Sequence, residues 1–213
     1  AITSDENRRA EIDDDKCVNC GSCIVACPFG AIDYISYIVQ VLKLLKNENK
    51  EVAALLAPSF TGQFGVRVQP EMVKKALKEI GFSEVVEVAY GADQVVEEES
   101  EEFLERMDEG EEVMTTSCCP GFKTLVNEHY PELNNYVSTT VSPMIKTADY
   151  LKEKNKEIKT IFIGPCIAKK SEAAAYENID YVLTFEELVS IIVGFGINLE
   201  KMDEGEKIED ASK

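Results

Sequence analysis

Basic residues are scarce in this chain: Lys and Arg number 22 against 40 Asp and Glu, a formal charge of -18. A surface that acidic repels phosphate backbones and anionic lipids, which excludes nucleic acid and membrane surfaces as partners. The excess of acid also has a plain meaning, solvated helix faces that keep the chain soluble, so it says little about substrate. Long apolar runs are missing as well. No stretch approaches the roughly 20 residues that span a bilayer, and the polar N-terminus has no signal-peptide core. A soluble, intracellular, cytoplasmic chain is expected. Histidine occurs once, as His129 near a helix end before Pro131, where a dipole contact or simple exposure accounts for it without a function. What is present is a 45% share of hydrophobic residues in a chain of 213. That suffices for one large domain or two small ones, able to bury a site.

The seven cysteines are not spread like disulfide partners. Cys17, Cys20, Cys23 and Cys27 fall close together, Cys118 and Cys119 are adjacent, and Cys166 stands alone. Clustering of this kind favours metal.

Residues 1–33 hold the first cluster and few apolar residues, which marks a small module whose fold depends on its metal. Residues 34–213 have a different texture. Tyr34 to Asn47 reads as an amphipathic helix with Ile35, Ile38, Val39, Val41, Leu42 and Leu45 on its apolar side. The run Val52-Ala53-Ala54-Leu55-Leu56-Ala57, stopped by Pro58, reads as a buried parallel strand. Further strands are expected at Glu84–Val88, Glu112–Thr116, Ile158–Ile163 and Asp180–Leu183. Helical patterns lie near 70–80, 91–108, 121–129, 143–155, 169–177 and 185–194. The alternation predicts an α/β fold, a mostly parallel sheet flanked by helices, with the small iron–sulfur module at its N-terminus. Three polar loops follow strands: Pro58-Ser59, Ser117 to Pro120, and Gly164-Pro165-Cys166. Sites in open α/β sheets form at the carboxyl ends of strands, so these loops are expected to share one cleft. Residues 200–213 lose the apolar pattern and read as a solvated tail or a cut.

Cys17-x-x-Cys20-x-x-Cys23-x-x-x-Cys27-Pro28 is the bacterial ferredoxin spacing, in which three close thiolates hold three corners of a 4Fe-4S cube. A structural zinc is the rival, and the spacing speaks against it. In the ferredoxin pattern the fourth cysteine ligates a second cluster, and the first cluster takes its last ligand from another Cys-Pro. Residues 1–16 hold no cysteine. Either the module departs from the pattern or its other half precedes Ala1; the lack of a start methionine favours the second.

Cys118-Cys119-Pro120 lies ahead of a helix, where backbone N–H groups and the helix dipole favour thiolates; a redox-inert pair is the alternative. Adjacent side chains diverge, so the two thiols do not bind one metal in the same way. The segments Thr116-Ser117-Cys118-Cys119-Pro120-Gly121-Phe122 and Gly164-Pro165-Cys166-Ile167-Ala168-Lys169-Lys170-Ser171-Glu172 resemble the first two signature segments of iron-only (FeFe) hydrogenases. The Ala57-Pro58-Ser59 turn and the ferredoxin run fit the same family, so the resemblance covers nearly the whole chain. It implies that Cys119 and Cys166 ligate the 4Fe-4S part of the active-site H-cluster. It further implies that Cys118 delivers protons to the diiron unit. Lys169 would pair with one cyanide of the diiron centre, and Pro58 and Ser59 would approach the other.

On the helix after Gly91-Ala92-Asp93, an apolar stripe runs through Ala92, Val95, Val96, Phe103 and Met107, and Glu99 falls on it, with Glu102 one turn later. A carboxylate on a core-facing stripe is costly without a partner or a function. The resemblance implies that Glu99, Glu102 and Ser142 relay protons to Cys118. For Glu102 the plain alternative is an acidic solvent-facing helix, like Glu97, Glu98, Glu101 and Glu105.

The sequence also departs from the family. Gly164 stands where catalytic members carry methionine, and Phe122 where tryptophan is common, as in divergent or sensory members. No counterpart of the third signature segment is present, so the chain supplies two of four H-cluster ligands. The others are expected from downstream sequence or a second chain. The implied function is reversible reduction of protons to H2, with electrons supplied by a carrier such as ferredoxin through 4Fe-4S clusters. The alternatives are a hydrogenase-like iron–sulfur protein without the diiron unit, acting in cluster assembly or electron transfer, and a hydrogen sensor.

Overall fold

The computed structural model describes residues 1–202. In the N-terminal module two short strands, β1 (Ile2–Ser4) and β2 (Ala10–Ile12), pair antiparallel and lead into a five-residue helix, α1 (Ser22–Ala26). None of residues 1–33 is fully buried. A module with so little enclosed apolar surface has no core of its own and must be held by what it binds and what it leans on. These three elements have too few residues to show a hydrophobic period, and the sequence gives no sign of them.

Helix α2 (Ile38–Leu45) is shorter than the expected 34–47, because Tyr34 and Tyr37 leave the helical path to pack against the larger domain. The main sheet then alternates with helices as expected: β3 (Val52–Leu56), α3 (Pro70–Ile80), β4 (Glu84–Glu87), α4 (Ala89–Asp108), α5 (Pro120–His129), α6 (Pro143–Lys154), β5 (Lys159–Gly164), α7 (Ala168–Ala174), β6 (Tyr181–Thr184) and α8 (Phe185–Gly194). All strands of this sheet are parallel, in the order β4-β3-β5-β6. β3 is buried at every position, the pattern of a central strand covered on both faces. Its side chains join those of β5, α3, α6 and α8 in one continuous core.

From β3 the chain winds outward to β4 on one side, and from β5 outward to β6 on the other. The winding therefore reverses between β3 and β5, and a crevice opens past their carboxyl ends. Helix ends are set locally. Pro70 opens α3 and Gly81, at φ 119°, closes it in a left-handed conformation that glycine adopts without strain. Thr184 and Glu187 form a capping box that starts α8. Helices α4 and α6 cross at Gly91, where a Cβ would stand 2.4 Å from both the Pro143 carbonyl and the Thr147 hydroxyl.

One expected strand is absent from the sheet. In Glu112–Thr116 only Thr115 forms a bridge, a parallel one to Val137, and Glu112, Val113 and Thr116 are exposed. The β-branched composition is there, but no strand runs alongside to pair with it. At the C-terminal side, Leu199–Lys201 makes a short 3₁₀ turn tied by an Arg67–Glu200 ion pair of 2.8 Å, so the expected tail is anchored at its start. The rest of that tail, 203–213, lies outside the described residues. No helix among the described residues is long and apolar enough to cross a membrane.

Candidate functional site

The loops after β3 and β5 flank the crevice. Pro58 and Ser59 sit exposed on a 3₁₀ turn, pinned beneath by Phe60 in the core and by the Ala57 N–H, which donates to Ile163 O at 2.9 Å. Beside them β5 ends at Gly164, where a Cβ would meet the Phe162 ring at 2.6 Å and the Ala57 methyl at 3.1 Å. The buried Phe162 ring thus fills the space that a side chain at position 164 would need. Cys166 follows, half-buried, and the turn into α7 carries Lys169.

Lys169 joins this loop to the paired cysteines. Its ammonium donates to Cys118 O at 3.2 Å and pairs with Glu172 at 2.6 Å, with both side chains largely enclosed. Cys119 is the N-cap of α5, ahead of Pro120, while Cys118 lies one residue earlier with its thiol 3.7 Å from the Thr116 hydroxyl. The structure therefore gathers Cys118, Cys119 and Lys169 at one place. Ser59 makes no hydrogen bond to these loops among the described residues.

Glu99 reaches from α4 to the residue before Cys118, whereas Glu102, one turn on, reaches the 138–140 segment, and their surroundings differ. Glu99 Oε1 accepts from the Ser117 N–H at 3.0 Å and the Ser117 hydroxyl at 3.4 Å, one residue from Cys118. Ser117 is buried, and its hydroxyl also donates to Thr140 O. Glu102 accepts from the Ser138 hydroxyl and Arg106, each at 2.6 Å, from the Thr139 N–H at 3.0 Å and hydroxyl at 3.1 Å, and from the Thr140 hydroxyl at 3.3 Å. Burial pushes its pKa up, but the donors Ser138, Thr139 and Arg106 outweigh that and hold it at about 2.

The serine expected in this relay is misplaced. Ser142 is the N-cap of α6, and its buried hydroxyl makes no hydrogen bond to either glutamate. The serines that meet the glutamates are Ser138, at Glu102, and Ser117, at Glu99. The local signal is that serine followed by proline is a helix start, with Pro143 at the first helical position, which places Ser142 at the N-cap, although its hydroxyl caps no backbone N–H.

In the module, Cys17 and Cys23 open onto a cavity of about 440 Å³ walled by Ile12, Ile24, Ile32, Ile35 and Ile167. Cys20 lies 3.2 Å from the Ser22 hydroxyl, which lowers its pKa; the Ala31 N–H donates to the Cys27 sulfur and lowers that thiol's pKa too. Cys20 and Cys27 stand off that lining, which also carries Asp14, Asp33 and Lys170. Among the described residues no three of these thiols are drawn close enough to share a metal; it is their soft-ligand chemistry and ferredoxin spacing that suit an iron–sulfur cluster. The cavity's far wall is Ile167, the residue after Cys166, and its side chain would be 3.2 Å from a Cβ at Gly21. Two further contacts seat the module. His129 Nε2 lies 3.2 Å from Lys16 O, and a Cβ at Gly121 would stand 3.4 Å from Val18 O. Neither contact has a sequence signal, because both join residues far apart in the chain.

A parallel sheet with thiols and a lysine beside its switch point, leaning on a thiol-rich module, defines an α/β iron–sulfur protein. The sequence profile of the family described as iron only hydrogenase large subunit, C-terminal domain, matches residues 50–213, and that of the 4Fe-4S binding domain matches residues 10–33. The chain belongs to the iron-only hydrogenase large-subunit family, with a 4Fe-4S binding segment ahead of it. The periplasmic [Fe] hydrogenase large subunit of Nitratidesulfovibrio vulgaris is 33% identical over 92% of this chain and 60% of its own length. The cytosolic Fe-S cluster assembly factor NAR1 of Vanderwaltozyma polyspora is 30% identical over 88% of this chain and 37% of its own. Among solved structures, the apo [FeFe]-hydrogenase HydA1 from Chlamydomonas reinhardtii superposes with a TM-score of 0.71 at 32% identity, over 81% of this chain and 51% of that one. The chain spans between 35% and 60% of the length of the first three curated relatives.

Proposed function

We propose that the protein is an iron-only hydrogenase that reversibly reduces protons to H2. The observation that carries the reading is the meeting of Lys169 with Cys118 at 3.2 Å, beside a Glu99–Ser117 contact that ends next to the same cysteine. A binding site for a 4Fe-4S cube alone needs neither a second, non-ligating thiol nor a lysine beside it. The residues present fit part of the H-cluster: Cys119 and Cys166 would ligate its 4Fe-4S part. The remaining two thiolates would have to come from outside these 213 residues, since the other cysteines are Cys118 and the ferredoxin run.

When bound, the diiron unit with its carbonyl and cyanide ligands supplies the bond-making chemistry between protons and electrons. The chain's residues position it and feed it. Lys169 would present a cation to one cyanide, and the Pro58-Ser59 turn would offer the Ser59 hydroxyl and backbone N–H to the other. Cys118 holds the last proton. Glu99, through Ser117, is the inner carrier, and Glu102 with Ser138 forms the outer end of the path. A carboxyl held at about 2 gives a proton up readily and does not store it, so Glu102 passes protons inward or serves as an anchor. Electrons would arrive from a carrier of the ferredoxin kind through a cluster held by Cys17, Cys20 and Cys23, in the cytoplasm.

The relative named as a cluster assembly factor supports a second reading, a non-catalytic iron–sulfur protein. One experiment separates the two. In the intact protein matured with its diiron cofactor, infrared spectra should show cyanide and carbonyl bands. Cys118→Ala should keep those bands and cut hydrogen evolution by at least about a hundredfold. Iron–sulfur signals without the bands would establish the second reading, and an unchanged rate would remove Cys118 from the proton path. A hydrogen sensor, in keeping with Gly164 and Phe122, would show the bands with slow turnover.

A further inference from the structure

Lys170, next to the lysine of the proposed active site, is held in an ion pair of its own that hydrogen chemistry does not use. Its ammonium lies 2.8 Å from Glu187 Oε2 and 3.0 Å from Val182 O, and 4.9 Å from the ring centroids of both Tyr34 and Tyr37. The two side chains are 9% and 4% exposed. Glu187 in turn accepts from the Thr184 N–H at 2.7 Å and the Tyr37 N–H at 3.1 Å. A long flexible cation is fixed here at considerable entropic cost.

What Lys170 faces is informative. It lines the cavity onto which Cys17 and Cys23 open, while Glu187 sits behind it and does not. The other charged residues on that lining are Asp14 and Asp33, which leaves Lys170 as its cation.

We propose that Lys170 is the positioning residue that sets the reduction potential of the 4Fe-4S cluster held by Cys17, Cys20 and Cys23. The inference rests on that run binding such a cluster. Accepting one electron makes the cluster one unit more negative, so a fixed cation nearby favours the reduced form and nearby carboxylates oppose it. Lys170 thereby offsets the acidic wall and keeps the cluster reducible by its electron donor.

The test is a dithionite titration of the intact, cluster-reconstituted protein, followed by electron paramagnetic resonance. Lys170→Met should lower the midpoint of this cluster, so that its reduced-to-oxidised ratio at the wild-type midpoint falls about tenfold, about 59 mV for one electron. Glu187→Gln, which removes the counter-charge and keeps the cation, should shift it upward. Lys170→Arg should stay near wild type. Unchanged midpoints with intact iron and sulfide would overturn the proposal, as would shifts in the same direction for Lys170→Met and Glu187→Gln, the mark of mere structural damage. If serine replacement of Cys17, Cys20 and Cys23 leaves iron and sulfide content at the wild-type level, the cluster reading itself fails and takes this inference with it.

Discussion

Glu99 and Glu102 stand one turn apart on α4, yet only Glu102 is ringed by donors. The folded state holds it at about 2, below an unfolded value near 4.5. A depressed carboxyl contributes stability that is fully present above the unfolded value and is lost as pH falls through the folded one. The contribution at pH 7 is at most about 3.5 kcal/mol, taking roughly 1.4 kcal/mol for each pH unit between 2 and 4.5. Glu102→Gln should therefore destabilise the protein by about 2 kcal/mol at pH 7 in urea denaturation, and the gap to wild type should narrow between pH 4.5 and pH 2. A gap that does not change with pH would mean that the carboxylate is not what ties Ser138, Thr139 and Arg106 together. At this scale the sequence shows which helix face carries the two acids, because their spacing survives folding unchanged. It does not show which serine they meet. Ser138 and Ser142 sit on the same irregular stretch, and contacts between α4 and that stretch are settled only by how the loops fold back.

At the scale of elements, strands β3 and β5 were legible because central parallel strands are apolar on both faces, and their runs need no partner to be recognised. Glu112–Thr116 misled for the opposite reason: its composition suits a strand, but strand identity depends on a neighbour that the sequence does not name. β5 also explains one departure from the family. Phe162 and Gly164 point to the same face, two residues apart, and the ring takes the room that position 164 would otherwise fill. The pair is thus one exchange of volume. Gly164→Met alone should cost about 1–3 kcal/mol through overpacking, and Phe162→Ala alone about 3–5 kcal/mol through a cavity. Combined, the two should cost clearly less than their sum, by 1 kcal/mol or more in a double-mutant cycle read from thermal or urea unfolding. Strict additivity would show that the ring and position 164 do not share the space.

The whole molecule divides by how each part is held. The sheet domain owns a continuous core, whereas residues 1–33 bury no side chain completely and touch the domain through small contacts: His129 on the Lys16 carbonyl, Gly121 beside Val18, and Gly21 against Ile167. Such a module gains its order from cluster binding, so removing the iron should release it while leaving the sheet folded. We expect a chelator-stripped protein to become sensitive to trypsin at Arg8, Arg9 and Lys16. The resistant fragment should begin at Cys17, since no Lys or Arg lies between Lys16 and Lys43 of the core-packed α2, and its thermal midpoint should fall only a few degrees. The paired cysteines and Cys166 lie in loops outside the core, Cys166 just past the carboxyl end of β5, so losing iron there should not change that outcome. If the sheet melts together with the module, the two form one cooperative unit and the proposed boundary after residue 33 is wrong. If instead Lys16 stays protected without iron, the seam of His129, Gly121 and Ile167 is enough to hold the module by itself.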